Sequence, residues 1–288
     1  MPPNTTFNAR LLLAEDNPVN SDIATRILEG LGCRVARAEN GAAAARLLAH
    51  EQFDLVLMDC EMPELDGFEA TRLARAGETP LHHGQAGKRV PIVALTSHVL
   101  DDVRQRCLAA GMDDLLAKPF NKQQLREMLH RWIGELESPS LSSPTDHAAA
   151  PAERGKAAER TTDEVPVIDR TTLNTMLDSM GPAGRPFLER LCQRFGELAP
   201  AQISLMRTKY GAGKPDELWR IAHNLKSGAR ALGARRLAHR CAEIERRARE
   251  EGLGAIEALL GLAERDLALA LESLHGLLCE LDARAVKA

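Results

Sequence analysis

The rhythm of apolar positions changes near residue 135. Before it, short apolar runs alternate with longer segments of helical spacing. After residue 166 only helical spacing remains. The runs ARLLLA (9–14), CRVARA (33–38), DLVLMD (54–59), PIVALT (91–96) and DLLAKP (114–119) read as strands. Between and after them NPVNSDIATRILEGLG, GAAAARLLAHE, GFEATRLARAG, VLDDVRQRCLAAG and NKQQLREMLHRWIG read as helices. Five strand–helix units predict a parallel, doubly wound sheet. Its ligand site should lie just beyond the C-terminal ends of the strands. The second half, from DRTTLNTMLDSM through PFLERLCQRFGELAPAQISLMRTKYG and PDELWRIAHNLKSGARAL to a long last segment ending near Ala285, has no strand signal. It predicts a helical bundle. Between the halves, residues 135–166 are rich in Ser, Pro, Ala and charge and nearly free of large aliphatics, so they read as a flexible linker. The expected division is 10–134, 135–166 and 167–285, an α/β unit followed by an all-α unit.

Composition narrows the function classes. The chain has 288 residues, room for two domains, with 44% apolar and 27% charged residues and a net charge of -4. That balance, with no dense basic cluster joined to aromatics, argues against a nucleic-acid partner. Arg is plentiful after Arg230, but Glu243, Glu245, Glu250 and Glu251 are interleaved with it, which predicts a solvated face. No apolar run approaches the roughly 20 residues of a membrane span, so no membrane partner is expected. MPPNTTFNAR lacks the basic and apolar regions of a signal peptide. The six cysteines are scattered without a CxxC pair, which points to reduced thiols in the cytoplasm.

The chemistry gathers at the strand ends. LLLAED ends in Glu15 and Asp16, DLVLMD in Asp59, PIVALT in Thr96, and DLLAK in Lys118. Three carboxylates at one sheet edge would repel strongly without a cation. Hard oxygen ligands in an open, wet site favour Mg²⁺. A hydroxyl and an ammonium beside them suit phosphoryl transfer, with one carboxylate as nucleophile. Each residue alone has a plainer reading: Asp16 as a helix cap before Pro18, Asp59 as a cap or turn residue, and Lys118 as a solvated side chain.

The motifs LLLAEDNPVN, LVLMDCEMPELDGFEA, PIVALTSH and LLAKPF resemble those of a response-regulator receiver domain. The resemblance covers 10–134 and implies a five-stranded flavodoxin-like fold. It implies Asp59 as phospho-acceptor, and Mg²⁺ held by Glu15, Asp16, Asp59 and the backbone carbonyl of Glu61. Thr96 would bind the phosphoryl oxygen and Lys118 would pair with it. Pro63 and Gly67 fit the family's loop after the acceptor strand, and the Lys118–Pro119 bond is expected to be cis. One departure is Leu115, where the family commonly has an aromatic that swings inward with the threonine. Phosphorylation is therefore expected to serve passage of the phosphoryl group more than a large conformational switch.

The stretch AHNLKSGARALGA raises a second site. At about 100° per residue, Leu218, Ile221, Ala222, Leu225, Ala229 and Leu232 form one stripe. His223 falls about 140° from its centre, with Lys226, Ser227 and Arg230 nearby on what should be the outer face. The plain alternative is a solvated histidine. Lys226 and Arg230 put positive charge beside the imidazole, suited to a phosphoryl group. Ser227 and Gly228 are small, so another surface could approach. The other histidines, His239 and His275 among them, read as structural or solvated. The segment is similar to a histidine phosphotransfer (HPt) domain, a four-helix bundle, over about 167–285. That resemblance implies His223 as a second phospho-acceptor.

Receiver and HPt together imply a phosphorelay intermediate and not a turnover enzyme. Its expected partners are a sensor histidine kinase and a downstream response regulator receiver domain. Asp59 would accept phosphoryl from a kinase phosphohistidine. His223 would exchange it with a receiver aspartate, either Asp59 or one on the regulator. A linker of about 30 residues spans about 30 Å r.m.s., enough for the internal route. The bundle should then dock at the start of the helix after Asn17 and the loop after Lys118. Two rivals are a phosphate sink or binding adaptor, and a Mg²⁺-dependent phosphohydrolase using Asp59. The chain is similar to the C-terminal part of hybrid sensor kinases, although Met1 favours a stand-alone protein.

Overall fold

A computed structural model describes residues 6–77, 89–97, 101–134, 165–250, 252–254 and 256–285. Most of the expected linker, residues 135–164, lies outside the described residues. The five apolar runs form β1 (Arg10–Ala14), β2 (Arg34–Ala38), β3 (Leu55–Asp59), β4 (Ile92–Thr96) and β5 (Asp114–Ala117). They pair in parallel in the order β2-β1-β3-β4-β5. The helices between are α1 (Pro18–Gly30), α2 (Gly41–His50), α3 (Gly67–Ala76), α4 (Asp101–Ala110) and α5 (Lys122–Trp132). Every residue of β3 and β4 is buried, as parallel strands covered on both faces must be. Leu11, Leu13, Leu55 and Leu57 pack with α1 and α5 through Ile27, Leu28, Leu125 and Leu129. Leu12, Val56 and Met58 pack on the other face with Leu48, Phe68, Ala74 and Cys107. The order reverses at β1 and β3, so a cleft opens beyond their C-terminal ends.

Local chemistry fixes the turns at that edge. Asn17, not Asp16, caps α1: its side chain accepts from the backbone N–H of Val19 and Asn20, with Pro18 in the first turn. That leaves the Asp16 carboxylate for the cleft. Gly67 opens α3 where any β-carbon would lie 2.0 Å from the carbonyl oxygen of Asp59. Only glycine lets α3 start so close to the acceptor strand. The Lys118–Pro119 peptide is cis, as expected.

The second half is helical, with α6 (Arg170–Met180), a short 3-10 turn, α7 (Gly184–Gly211), α8 (Pro215–Ala231), α9 (Arg235–Glu250) and α10 (Ile256–Ala285). These are five α-helices among the described residues. The four longest, α7 to α10, touch in a closed ring, and α6 packs on α7. The core is almost wholly aliphatic, built on Leu188, Leu191, Ile203, Leu218, Leu225, Leu237, Ile244 and Leu260. Pro200 sits inside α7 without ending it. Having no N–H, it cannot donate to the carbonyl of Gly196, four residues before it.

The two halves touch. α1 lies against α7 and α8, with Val19 in the bundle's core cluster and Ile23 packed against the cores of both halves.

Candidate functional site

The ends of two strands, β1 and β3, bring Glu15, Asp16 and Asp59 together, with oxygens within 4.8 Å of one another. Asp59 closes β3 and is only 4% exposed. Lys118, just past β5, reaches back so that its ammonium lies 2.6 Å from Asp59 Oδ2 and 2.5 Å from Glu15 Oε2. The backbone N–H of Glu61 donates to Asp59 Oδ1 at 3.2 Å. Thr96, buried, ends β4, and the backbone N–H of Lys118 donates to its carbonyl at 2.7 Å. One ammonium does not neutralise three carboxylates. Burial, with Lys118 only partly offsetting it, pushes Glu15 up to about 7. Burial and the neighbouring Asp59 push Asp16 up to about 6. Burial disfavours a charged Lys118, yet the Asp59 and Glu15 carboxylates outweigh it and raise its pKa. The cluster carries excess negative charge at neutral pH, which a hard divalent cation would relieve.

His223 lies in the middle of α8, and the structure corrects its expected surroundings. It is 8% exposed and Lys226 is 2% exposed, so neither sits on an outer face. The periodicity located the stripe facing the bundle core correctly, but α8 is also flanked by α9 and by α1. Glu245 of α9 is buried as well, not solvated. Its Oε1 lies 3.0 Å from His223 Nδ1 and its Oε2 takes the Lys226 ammonium at 2.5 Å. Glu61, from the loop after β3, approaches the same Nδ1 at 2.8 Å. Burial opposes an imidazolium, but the contacts to Glu245 and Glu61 outweigh it and hold His223 up to about 9. Burial would raise Glu245, but its contacts with His223 and Lys226 hold it down at about 2. With Nδ1 flanked by carboxylates, Nε2 is the nitrogen left for bond formation. His239 and His275 are exposed, as expected.

The contacts between the halves centre on the residues around His223. Asn224 Nδ2 donates to Asp16 Oδ2 at 2.8 Å. Asn17 Nδ2 donates to the Asn224 carbonyl at 2.7 Å, and Asn20 Nδ2 to Ser227 Oγ at 2.7 Å. Gly228 is buried against Asn17, whose amide nitrogen would stand 3.1 Å from any added β-carbon. Arg230, farther along, is exposed. Arg194 of α7 pairs with Asp22 of α1 at 3.0 Å. A cleft of about 400 Å³ between the halves is lined by Asp16, Cys60, Glu61, Trp219, His223 and Asn224. Asp16 of the acidic cluster and the imidazole therefore line one cleft.

Sequence reasoning missed Glu245, Asn224, Asn17 and Asn20 as contacts of this site. A signal for Glu245 was present: His223 and Glu245 stand at equal separations on either side of Ala234, in the turn joining α8 to α9. Residues so spaced face each other across an antiparallel helix pair. The Asn pairs carried no such signal, because they meet only once the halves dock.

Residues 11–130 match the response regulator receiver domain family, and residues 190–281 match the Hpt domain family. Over 133 residues, 46% of this chain, the sequence is 39% identical to the sensor protein GacS of Pseudomonas syringae pv. syringae, and the match covers 14% of that protein. Over 247 residues, 86% of this chain, it is 29% identical to the virulence sensor protein BvgS of Bordetella pertussis, covering 19% of it. The chain thus spans less than a fifth of the length of these relatives. Among solved structures, the receiver domain of a sensor histidine kinase from Pseudomonas aeruginosa, described with a magnesium ion in its active site cleft, is 46% identical. It covers 44% of this chain and 98% of its own, with a TM-score of 0.40. Among the described residues, no helix is long and apolar enough to cross a membrane.

Proposed function

We propose that this chain, which joins a response regulator receiver domain to an Hpt domain, is a phosphorelay intermediate in which Asp59 takes a phosphoryl group from a kinase phosphohistidine and hands it to His223. The receiver unit is assigned to 10–134 and the Hpt unit to 167–285, joined by 135–166. The observation that carries the reading is the shared cleft: Asp16 and His223 line it together, and Asn224 ties one to the other's helix.

In the first step an Asp59 oxygen attacks phosphorus, the donor's N–P bond breaks, and its electron pair returns to the donor imidazole. The Lys118 ammonium and the Thr96 hydroxyl stand ready for the oxygens of the transferred group. In the second step His223 Nε2 attacks phosphorus and the bond to Asp59 breaks, restoring the carboxylate. The imidazole gains positive charge as it takes the group. Glu245 and Glu61, at Nδ1, stabilise that charge and orient the ring. The next acceptor is a downstream receiver aspartate, reached by the reverse of this geometry.

Glu15, Asp16, Asp59 and the Glu61 carbonyl fit a Mg²⁺ ion, since the cluster is all oxygen and its charge is in excess. When bound, the ion offsets charge on the phosphoryl oxygens. Leu115 packs with the core behind β4 and removes no phosphoryl ligand. The chain is a phosphotransfer carrier and not a turnover enzyme. Six free cysteines support a cytoplasmic setting.

The test is transfer between purified partners: a phosphorylated kinase, this chain, and a downstream receiver. Asp59→Asn and His223→Gln should each abolish phosphorylation of the downstream receiver. If both variants leave it unchanged, the relay reading fails.

A further inference from the structure

Behind the phospho-acceptor lies a pair of thiols that the relay does not use. Cys60 follows Asp59 at the end of β3, and Cys107 lies on α4. Their sulfurs are 3.9 Å apart, and the residues are 3% and 2% exposed. Both belong to the core face shared by β3, α3 and α4. A disulfide holds its sulfurs about 2 Å apart, so closure needs an approach of about 2 Å. α4 can supply it, because only Cys107 and Ala110 of its ten residues are buried. The β3 side is fixed: the backbone N–H of Cys60 donates to Leu95, and its carbonyl accepts from Gly67. Cys60 also lines the 400 Å³ cleft between the halves, beside Arg106 of α4, so a small oxidant has a route to it.

We propose that Cys60 and Cys107 form a reversible disulfide, made by a hydroperoxide and undone by a dithiol, that ties the acceptor strand to α4. The two thiols give up two protons and two electrons. The S–S bond forms, the peroxide O–O bond breaks, and hydrogen peroxide leaves as two waters. A dithiol returns the electrons by exchange through a mixed disulfide. The bond draws α4 inward against the end of β3 and slows phosphoryl uptake at Asp59. This second part rests on the acceptor role proposed for Asp59; the bond itself does not.

The experiment uses the full chain carrying Cys279→Ser, which removes the exposed thiol. It is treated with hydrogen peroxide, alkylated and digested without reductant. A cross-linked peptide pair holding Cys60 and Cys107, absent in Cys107→Ser and in Cys107→Ala, is expected. Sulfinic acid at either residue, or two alkylated thiols, overturns the proposal. Uptake from acetyl phosphate should be several-fold slower in the oxidised chain, recover with dithiothreitol, and not respond to peroxide in either Cys107 variant. An unchanged rate overturns the link to Asp59. A reduced chain that takes up no phosphoryl group instead fails the acceptor role and leaves the bond standing.

Discussion

Glu245 decides what His223 can do. A buried imidazole on its own resists protonation. Here two carboxylates reverse that tendency and raise its pKa to about 9. On the proposed relay the same carboxylates stabilise the positive charge of a phosphorylated ring. The cost is that the neutral, attacking form is scarce at neutral pH, and transfer to His223 should quicken as pH rises toward 9. The sign for stability follows from linkage: His223 binds its proton more tightly folded than unfolded. Its contribution is full below pH 6.5, its ordinary value, and is lost as pH climbs through about 9. The full chain should therefore lose about 3 kcal/mol across that window. Glu245→Gln should remove much of the slope, whatever it costs in stability at any single pH. Thermal unfolding of both proteins across pH 6 to 10 measures this, and equal slopes would refute the role given to Glu245. Asp16 shows how a residue-level reading was resolved. From sequence it was either a cap or a ligand, and the neighbouring Asn17 supplies the cap.

At the scale of elements, the sheet was legible because parallel strands buried on both faces leave short, nearly unbroken apolar runs. All five runs became strands, within two residues of their expected ends. The acidic edge was legible for the same reason, since strand ends on one side of a parallel sheet converge. The outer face of α8 was not. Helical periodicity finds the most apolar stripe, and it cannot see a polar face that is buried because Lys226, His223 and Glu245 satisfy one another. That face also meets α1 through small residues. Gly228→Val would push a branched side chain into the Asn17 amide, already only 3.1 Å from a first added carbon. The substitution should leave Asp59 phosphorylation intact and slow the passage to His223, as followed by rapid-quench kinetics. Unimpaired passage would mean that α8 does not reach the acceptor edge through this contact.

The interface was the least legible feature of the whole molecule, because hydrogen bonds between Asn17, Asn20, Asn224 and Ser227 link positions about 200 residues apart. The expectation that the bundle would dock beside Asn17 came from the resemblance and matches where α1 and α8 meet. What the sequence could not supply was that Glu61, expected to contribute only a backbone carbonyl, also sends its side chain to His223. The docked bundle lies beside the cleft lined by Asp16 and His223, so on the proposed relay a kinase reaches Asp59 when the bundle is displaced. The relay rests on passage of the phosphoryl group from Asp59 to His223. It is tested most directly by loading the chain with acetyl phosphate and Mg²⁺ and mapping the phosphate by mass. Base-labile phosphate is expected at Asp59 and acid-labile phosphate at His223, with Asp59→Asn losing both and His223→Gln losing only the second. Acid-labile phosphate persisting at His223 in Asp59→Asn, or absent from the unaltered chain, would contradict it.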